Sequence, residues 1–271
     1  MPRSTPKSAQ AKSSPATTPL QPATDSHSGN PASLQLIYTY PQMYAGTLLK
    51  RYKRFFADIE LDTGEVITAH CPNTGPMTGV CTIGNRVQVS RSDSKTRKLP
   101  YTWELIELHD NGQPVWVGVN TSLPNRVIRN ALEQRIFTEL DGYTAVRCEV
   151  PYGQEKSRVD FLLEGGEKDI YVEVKNTTWT DGSLALFPDT VTTRGQKHLR
   201  EMTSLLPEHR AVMLYFINRS DCDRFAPGDD RDPQYGELLR AAIAQGLEVL
   251  PCRFHIDPIG IQYLGLADLC C

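Results

Sequence analysis

What this chain lacks narrows it first. Its seven cysteines fall at Cys71, Cys81, Cys148, Cys222, Cys252, Cys270 and Cys271, with no CxxC pair. That spacing argues against a zinc site, which needs clustered ligands. No apolar run approaches the roughly 18 residues of a membrane span, so no membrane partner is expected. Neither sign of charge is in excess: 29 Lys and Arg stand against 32 Asp and Glu, a net charge of -3. This balance excludes a uniformly basic nucleic-acid binder and leaves room for local basic patches. No helix-turn-helix pattern is evident, which argues against a sequence-reading repressor. No internal repeat is evident either, and no motif supports a sugar-processing enzyme. No signal sequence opens the chain, so a cytoplasmic protein with reduced thiols is expected.

Composition divides what is there into three. Residues 1–33 are Ser, Thr, Pro, Ala and Lys with few large apolar side chains, and the expectation is a disordered tail. Residues 34–115 carry short strand signals. ADIEL (57–61) and VITAH (66–70) flank the turn sequence Asp-Thr-Gly-Glu, and RVQVSR (86–91) and YTWELIEL (101–108) follow. Short strands punctuated by Gly and Pro predict a small barrel or sandwich. Residues 116–271 switch period. Helical spacing runs over 125–140 and recurs over 194–206 and 233–245, with strands at 145–150, 159–163, 171–174, 211–217 and 247–254. That order predicts an α/β core, α+β for the chain as a whole, with helices flanking a mixed sheet.

The chemistry concentrates in Ser157–Asn176, SRVDFLLEGGEKDIYVEVKN. Strand alternation puts Glu173 and Lys175 on one face. A hairpin through Gly165-Gly166 would lay Asp160 beside them. Two carboxylates so placed can share a Mg²⁺ (or Mn²⁺), and a lysine can stabilise developing negative charge on a phosphoryl group. The competing reading is a solvated Glu–Lys ladder. FPDTVTTRGQKHL adds Asp189, Arg194, Lys197 and His198, and YGQEKSR adds Arg158. Arg194 and Lys197 suit phosphate contacts. His198 is either a proton relay or a hydrogen-bonded structural residue. In the first half, Lys50, Arg51, Tyr52, Lys53 and Arg54 precede Phe55 and Phe56, and Arg97 and Lys98 belong to a second basic cluster. Charge interleaved with stacking surface binds nucleic acid with little sequence preference. The loop HCPNTGPMTG, with Asn73, offers further donors to a phosphate.

LLKRYKRFFADIEL, HCPNTGPMTG, YTWEL, YGQEKSRVDFLL, YVEVKNTT, FPDTVTTRGQKHL and DPQYGELL together resemble the sugar fermentation stimulation protein family, from about residue 44 to about residue 250. The resemblance implies an N-terminal OB-fold-like domain and a C-terminal PD-(D/E)xK nuclease-like domain. It places Asp160, Glu173 and Lys175 where that superfamily keeps its metal-binding and catalytic residues. It also implies a glutamate on the preceding helix, with Glu133 and Glu139 both eligible. Val159 departs from the superfamily's proline. The implied function is non-specific binding of DNA, or of RNA, with a nuclease-type site. The alternative is a non-catalytic DNA-binding regulator of sugar (maltose) metabolism. Oligomeric state is open, a homodimer included.

Overall fold

Period-two alternation in the first half produces strands, and their closure produces a barrel. The computed structural model describes residues 1–2, 35–110 and 112–271. The tail expected over 1–33 lies, beyond its first two residues, outside them. After β1 (Leu36–Thr39) come β2 (Met43–Tyr52), β3 (Phe56–Leu61), β4 (Val66–His70), β5 (Arg86–Arg91), β6 (Tyr101–Leu108) and β7 (Val115–Gly118). The order β4-β3-β2-β5-β6 closes when β4 pairs back onto β6 at His70↔Thr102. Closure leaves no open edge among the five strands. The inward residues Leu48, Ile59, Val87, Val89, Trp103 and Ile106 are fully buried and fill this OB-like barrel. The Asp-Thr-Gly-Glu turn forms as expected, with Gly64 in the left-handed region (φ 84°) between β3 and β4.

The second half begins with α1 (Leu123–Glu133) and continues through β8 (Ala145–Tyr152), β9 (Ser157–Glu164), β10 (Ile170–Thr177), β11 (Trp179–Asp181) and β12 (Leu184–Phe187). Next are α2 (Thr193–Thr203), β13 (Arg210–Ile217), β14 (Arg224–Pro227), α3 (Pro233–Ala244), β15 (Glu248–Ile256), β16 (Gly260–Leu266) and β17 (Asp268–Leu269). Seven strands make a mixed sheet in the order β1-β16-β15-β13-β10-β9-β8, with β13 parallel to both β10 and β15. The apolar stripe of α1 (Val127, Ile128, Leu132) packs on one face with Val172, Val174 and Phe216. Leu199 and Met202 of α2 and Leu239 of α3 pack on the other with Met213, Tyr215 and Ile217. Coverage on both faces explains why β13 reads as a continuous apolar run.

Three expectations shift. β1 pairs with β16, so the second sheet takes its edge strand from residues assigned above to the barrel half. β7 pairs with β6, which carries the barrel half past residue 115 to Gly118. α1 stops at Glu133 rather than continuing: Arg135 turns left-handed (φ 57°), and a single 3₁₀ turn, Thr138–Leu140, follows. The four-stranded sheet β11-β12-β14-β17 was not anticipated.

Candidate active site

The β9–β10 hairpin builds the site because its ladder is incomplete. Pairing runs from Ile170↔Leu163 to Val172↔Phe161 and ends there. Beyond that point the Asp160 carboxylate takes the place of a strand: its Oδ2 accepts the Val174 backbone N–H at 2.7 Å. Its Oδ1 accepts from Asn125 Nδ2, in the first turn of α1, also at 2.7 Å. The turn needs glycine at 165, where φ is 93° and a Cβ would collide with the Thr144 hydroxyl.

Glu173 and Lys175 share the face of β10 that α2 covers. Glu173 is only 3% exposed. Its Oε1 accepts from Lys175 Nζ at 2.6 Å and pairs with His198 Nδ1, while Lys175 Nζ lies 3.3 Å from the same imidazole nitrogen. Its Oε2 is buried with no hydrogen-bond partner. The solvated-ladder reading fails on this burial.

The two carboxylates are pushed apart electrostatically. Burial, then the nearby Glu173 charge, lifts the Asp160 carboxyl to about 6, against the Val174 N–H, Lys175 and Asn125. Burial also pushes Glu173 upward, but Lys175 and His198 outweigh it and hold its carboxyl below the usual range. A low-lying and a high-lying carboxylate side by side is a pattern of sites that manage protons or cations.

The other expected residues separate. Arg158, Arg194, Lys197 and His198 line one cleft, so His198 joins that cleft to the carboxylates. Asp189 lies in the loop before α2, where burial raises its carboxyl against the opposing influence of the Thr78 backbone in the barrel's 70–79 loop. Glu133 is exposed and pairs with Arg129 at 2.8 Å. Glu139 sits on the 3₁₀ turn, where its carbonyl accepts from Arg210. Neither glutamate bonds to Asp160, Glu173 or Lys175, because α1 presents its first turn to the site and its last turn lies about 12 Å further on. Asn125 is the α1 residue that reaches Asp160, and the sequence reading missed it.

The barrel's basic turn also divides. Arg51 is committed: Nη2 donates to Asn73 O at 3.0 Å and to Gly75 O at 2.9 Å, pinning the 70–79 loop. Asn73 Oδ1 accepts the Gly75 N–H at 2.9 Å within that loop. Tyr52 stacks on Phe56 and donates to Asp58. Lys50, Lys53 and Arg54 are exposed, as is Phe55. Lys53 and Arg54 are both left-handed (φ 47° and 63°), a costly conformation for non-glycine residues. Arg97 donates to Thr102 at 2.7 Å, and Lys98 is exposed.

Residues 49–119 match the SfsA N-terminal OB domain, and residues 122–260 match the Sugar fermentation stimulation protein RE domain. The chain belongs to the sugar fermentation stimulation protein family. A homologue of that name from Cyanothece sp. is 68% identical over 234 residues, 86% of this chain and 98% of its own length. One from Synechococcus elongatus is 68% identical over 235 residues, 87% and 98% of the two chains. Among solved structures, Pyrococcus furiosus SfsA in complex with Ca²⁺ has the same fold. Its TM-score is 0.78 at 24% identity, and the match covers 88% of this chain and all of that one. In this family member the OB-like barrel thus precedes a mixed α+β domain. Among the described residues, no helix is long and apolar enough to cross a membrane.

Proposed function

We propose that this chain binds nucleic acid, DNA or RNA, without sequence preference and hydrolyses its phosphodiester bonds with a divalent cation, in the cytoplasm. The observation that carries the proposal is the buried Glu173, with one oxygen shared by Lys175 and His198 and the other unpartnered. An orphaned carboxylate oxygen is costly unless something binds it. A hard cation is the group its chemistry suits. Asp160, lifted by burial and then by the Glu173 charge, gains by the same binding. Among the described residues no group of three or more His, Cys, Asp or Glu is arranged to hold a metal. Mg²⁺ takes as few as one or two carboxylates and keeps several waters, so Asp160 and Glu173 would be enough ligands for it. The relative from Pyrococcus furiosus was solved with Ca²⁺, another oxygen-seeking cation.

Asp160 and Glu173 would hold the ion. When bound, it supplies polarisation of a phosphoryl oxygen and an acidified water. Asn125 and the Val174 N–H fix the orientation of Asp160. His198 and Lys175 fix Glu173, and the Lys175 ammonium would stabilise charge developing on the phosphoryl group. The 70–79 loop of the barrel is tied to the residue pair just before α1, where the Thr121 hydroxyl donates to the Pro72 carbonyl at 3.1 Å.

The alternative, a non-catalytic DNA-binding regulator of sugar metabolism, is favoured by one observation: the Lys175 ammonium is already engaged by Glu173. Incubating the protein with single- and double-stranded DNA and RNA, in Mg²⁺, Mn²⁺ or EDTA, separates the two. Cleavage with metal, reduced roughly 10²-fold or more in Lys175→Ala and in Asp160→Asn, is the expected result. Binding without cleavage in every metal would leave the regulator reading.

A further inference from the structure

Beside the carboxylate pair lies a cleft of about 590 Å³ between the β8–β9 turn and α2. Its size is that of a small-ligand site. Five cations line it, Lys156, Arg158, Arg194, Lys197 and Arg200, against two acids, Glu149 and Glu155. Elsewhere some arginines find carboxylates, as Arg86 does with Asp62, Arg129 with Glu133 and Arg240 with Asp229, while others such as Arg91 and Arg224 stand apart from one another. Among the described residues none of the five pairs with a carboxylate. Only Lys197 has a side-chain hydrogen bond, to the Glu155 carbonyl at 2.5 Å. Unpaired like charges crowded in one concavity repel each other and call for an anion.

A second observation points the same way. Ser157 lines the cleft and is only 6% exposed, yet its hydroxyl has no partner. The turn that carries these groups is held rather than loose. Glu201 Oε1 accepts the Glu155 N–H at 2.8 Å, and Lys156 keeps a left-handed φ of 58°. Arg194, Lys197 and Arg200 recur at three-residue spacing on α2, a row about 9 Å long. That is too long for one phosphate and suited to successive ones. His198 stands in both the cleft and the carboxylate cluster, so the row runs up to the site.

We propose that this cleft holds the phosphates of a nucleic-acid strand beside the carboxylate pair, and that it makes the main phosphate contact of the molecule. The proposal rests on the nucleic-acid reading above but not on catalysis. The barrel turn is the weaker candidate because Arg51 is spent on the 70–79 loop.

The test is fluorescence anisotropy of a labelled single-stranded oligonucleotide on the full chain in EDTA, across a salt series. Each phosphate contact in a single strand contributes about 0.7 to the slope of log affinity against log salt. Arg158→Ala, Arg194→Ala and Arg200→Ala combined should therefore flatten it by about 2. All three side chains are exposed, and an unchanged melting temperature would show that the variant is folded. The same loss in a variant folded by that criterion supports the cleft. Parental binding with an unchanged slope in the triple variant would overturn the cleft and leave the proposed function standing. No oligonucleotide binding by the parent, either in EDTA or with Ca²⁺ added, would overturn both. A free nucleoside monophosphate that competes as tightly as the strand would also overturn the strand assignment.

Discussion

At the scale of the residue, Asp160 is caught between two demands. It must be ionised to hold a cation, yet burial and Glu173 favour its protonated form, with a pKa of about 6. A carboxyl raised in the folded state binds its proton more tightly there than in the unfolded chain. The resulting stabilisation is complete below the ordinary Asp value and is lost as pH rises through about 6. Between about pH 4 and pH 7 this one group should withdraw up to about 3 kcal/mol. Asp160→Asn should remove that part of the pH slope, so parent and variant melts should differ in pH dependence and not only in height. Equal slopes would show that Asp160 does not carry the shift. In the parent, Mn²⁺ should raise the melting temperature more above pH 6 than below it, since only the ionised carboxyl is a ligand. Asp160, Glu173 and Lys175 were legible in the sequence because strand alternation and a glycine turn fix their neighbours locally. Asn125 was not, because its contact spans 35 positions and depends on how α1 crosses the sheet.

At the scale of the element, the informative pair is β2 and the 70–79 loop. The sequence showed the end of β2 as a basic cluster and not as a ten-residue strand. The register shift between Leu48 and Lys50 explains this, since an extra residue breaks the period-two pattern. The long helices were legible from their 3.6 period, while β11, β12, β14 and β17, two to four residues each, are too short to show any period. Arg51 bridges strand and loop with charged hydrogen bonds to two carbonyls. Arg51→Ala should cost about 3 kcal/mol and loosen residues 71–79. Hydrogen exchange should speed up in that loop and at the Val80 amide, which the Met77 carbonyl accepts. Lys50→Ala should leave both stability and exchange unchanged. Unaltered loop exchange in Arg51→Ala would remove its clamping role.

At the scale of the whole molecule, barrel and sheet are joined by backbone and by charge. The Gly118 N–H donates to Asn218 O at 3.0 Å, extending β7 toward β13. Arg219, 2% exposed, reaches Asp110 of the barrel at 2.9 Å and Asp221 at 2.6 Å, and donates to the Thr178 carbonyl. Nothing in the sequence singled out Arg219, because an arginine among polar neighbours reads as surface. Removing one partner of a buried ion cluster strands the others, so Arg219→Met should cost about 3–5 kcal/mol. Calorimetry should give one transition for the parent and two, barrel and sheet, for the variant. A single transition at a lower temperature would mean that the backbone join alone couples them.

The pairing of β1 with β16 bears on how the chain is made. A ribosome releases Leu36–Thr39 more than 200 residues before Gly260–Leu266. Throughout synthesis the emerging polypeptide carries a sheet-edge segment whose partner does not yet exist. The intervening barrel strands, each with its neighbour already released, can close meanwhile, as N-terminal units do during translation. Ile37 and Tyr40, both buried in the finished protein, can meet α1 beforehand but gain their sheet partner only when β16 arrives.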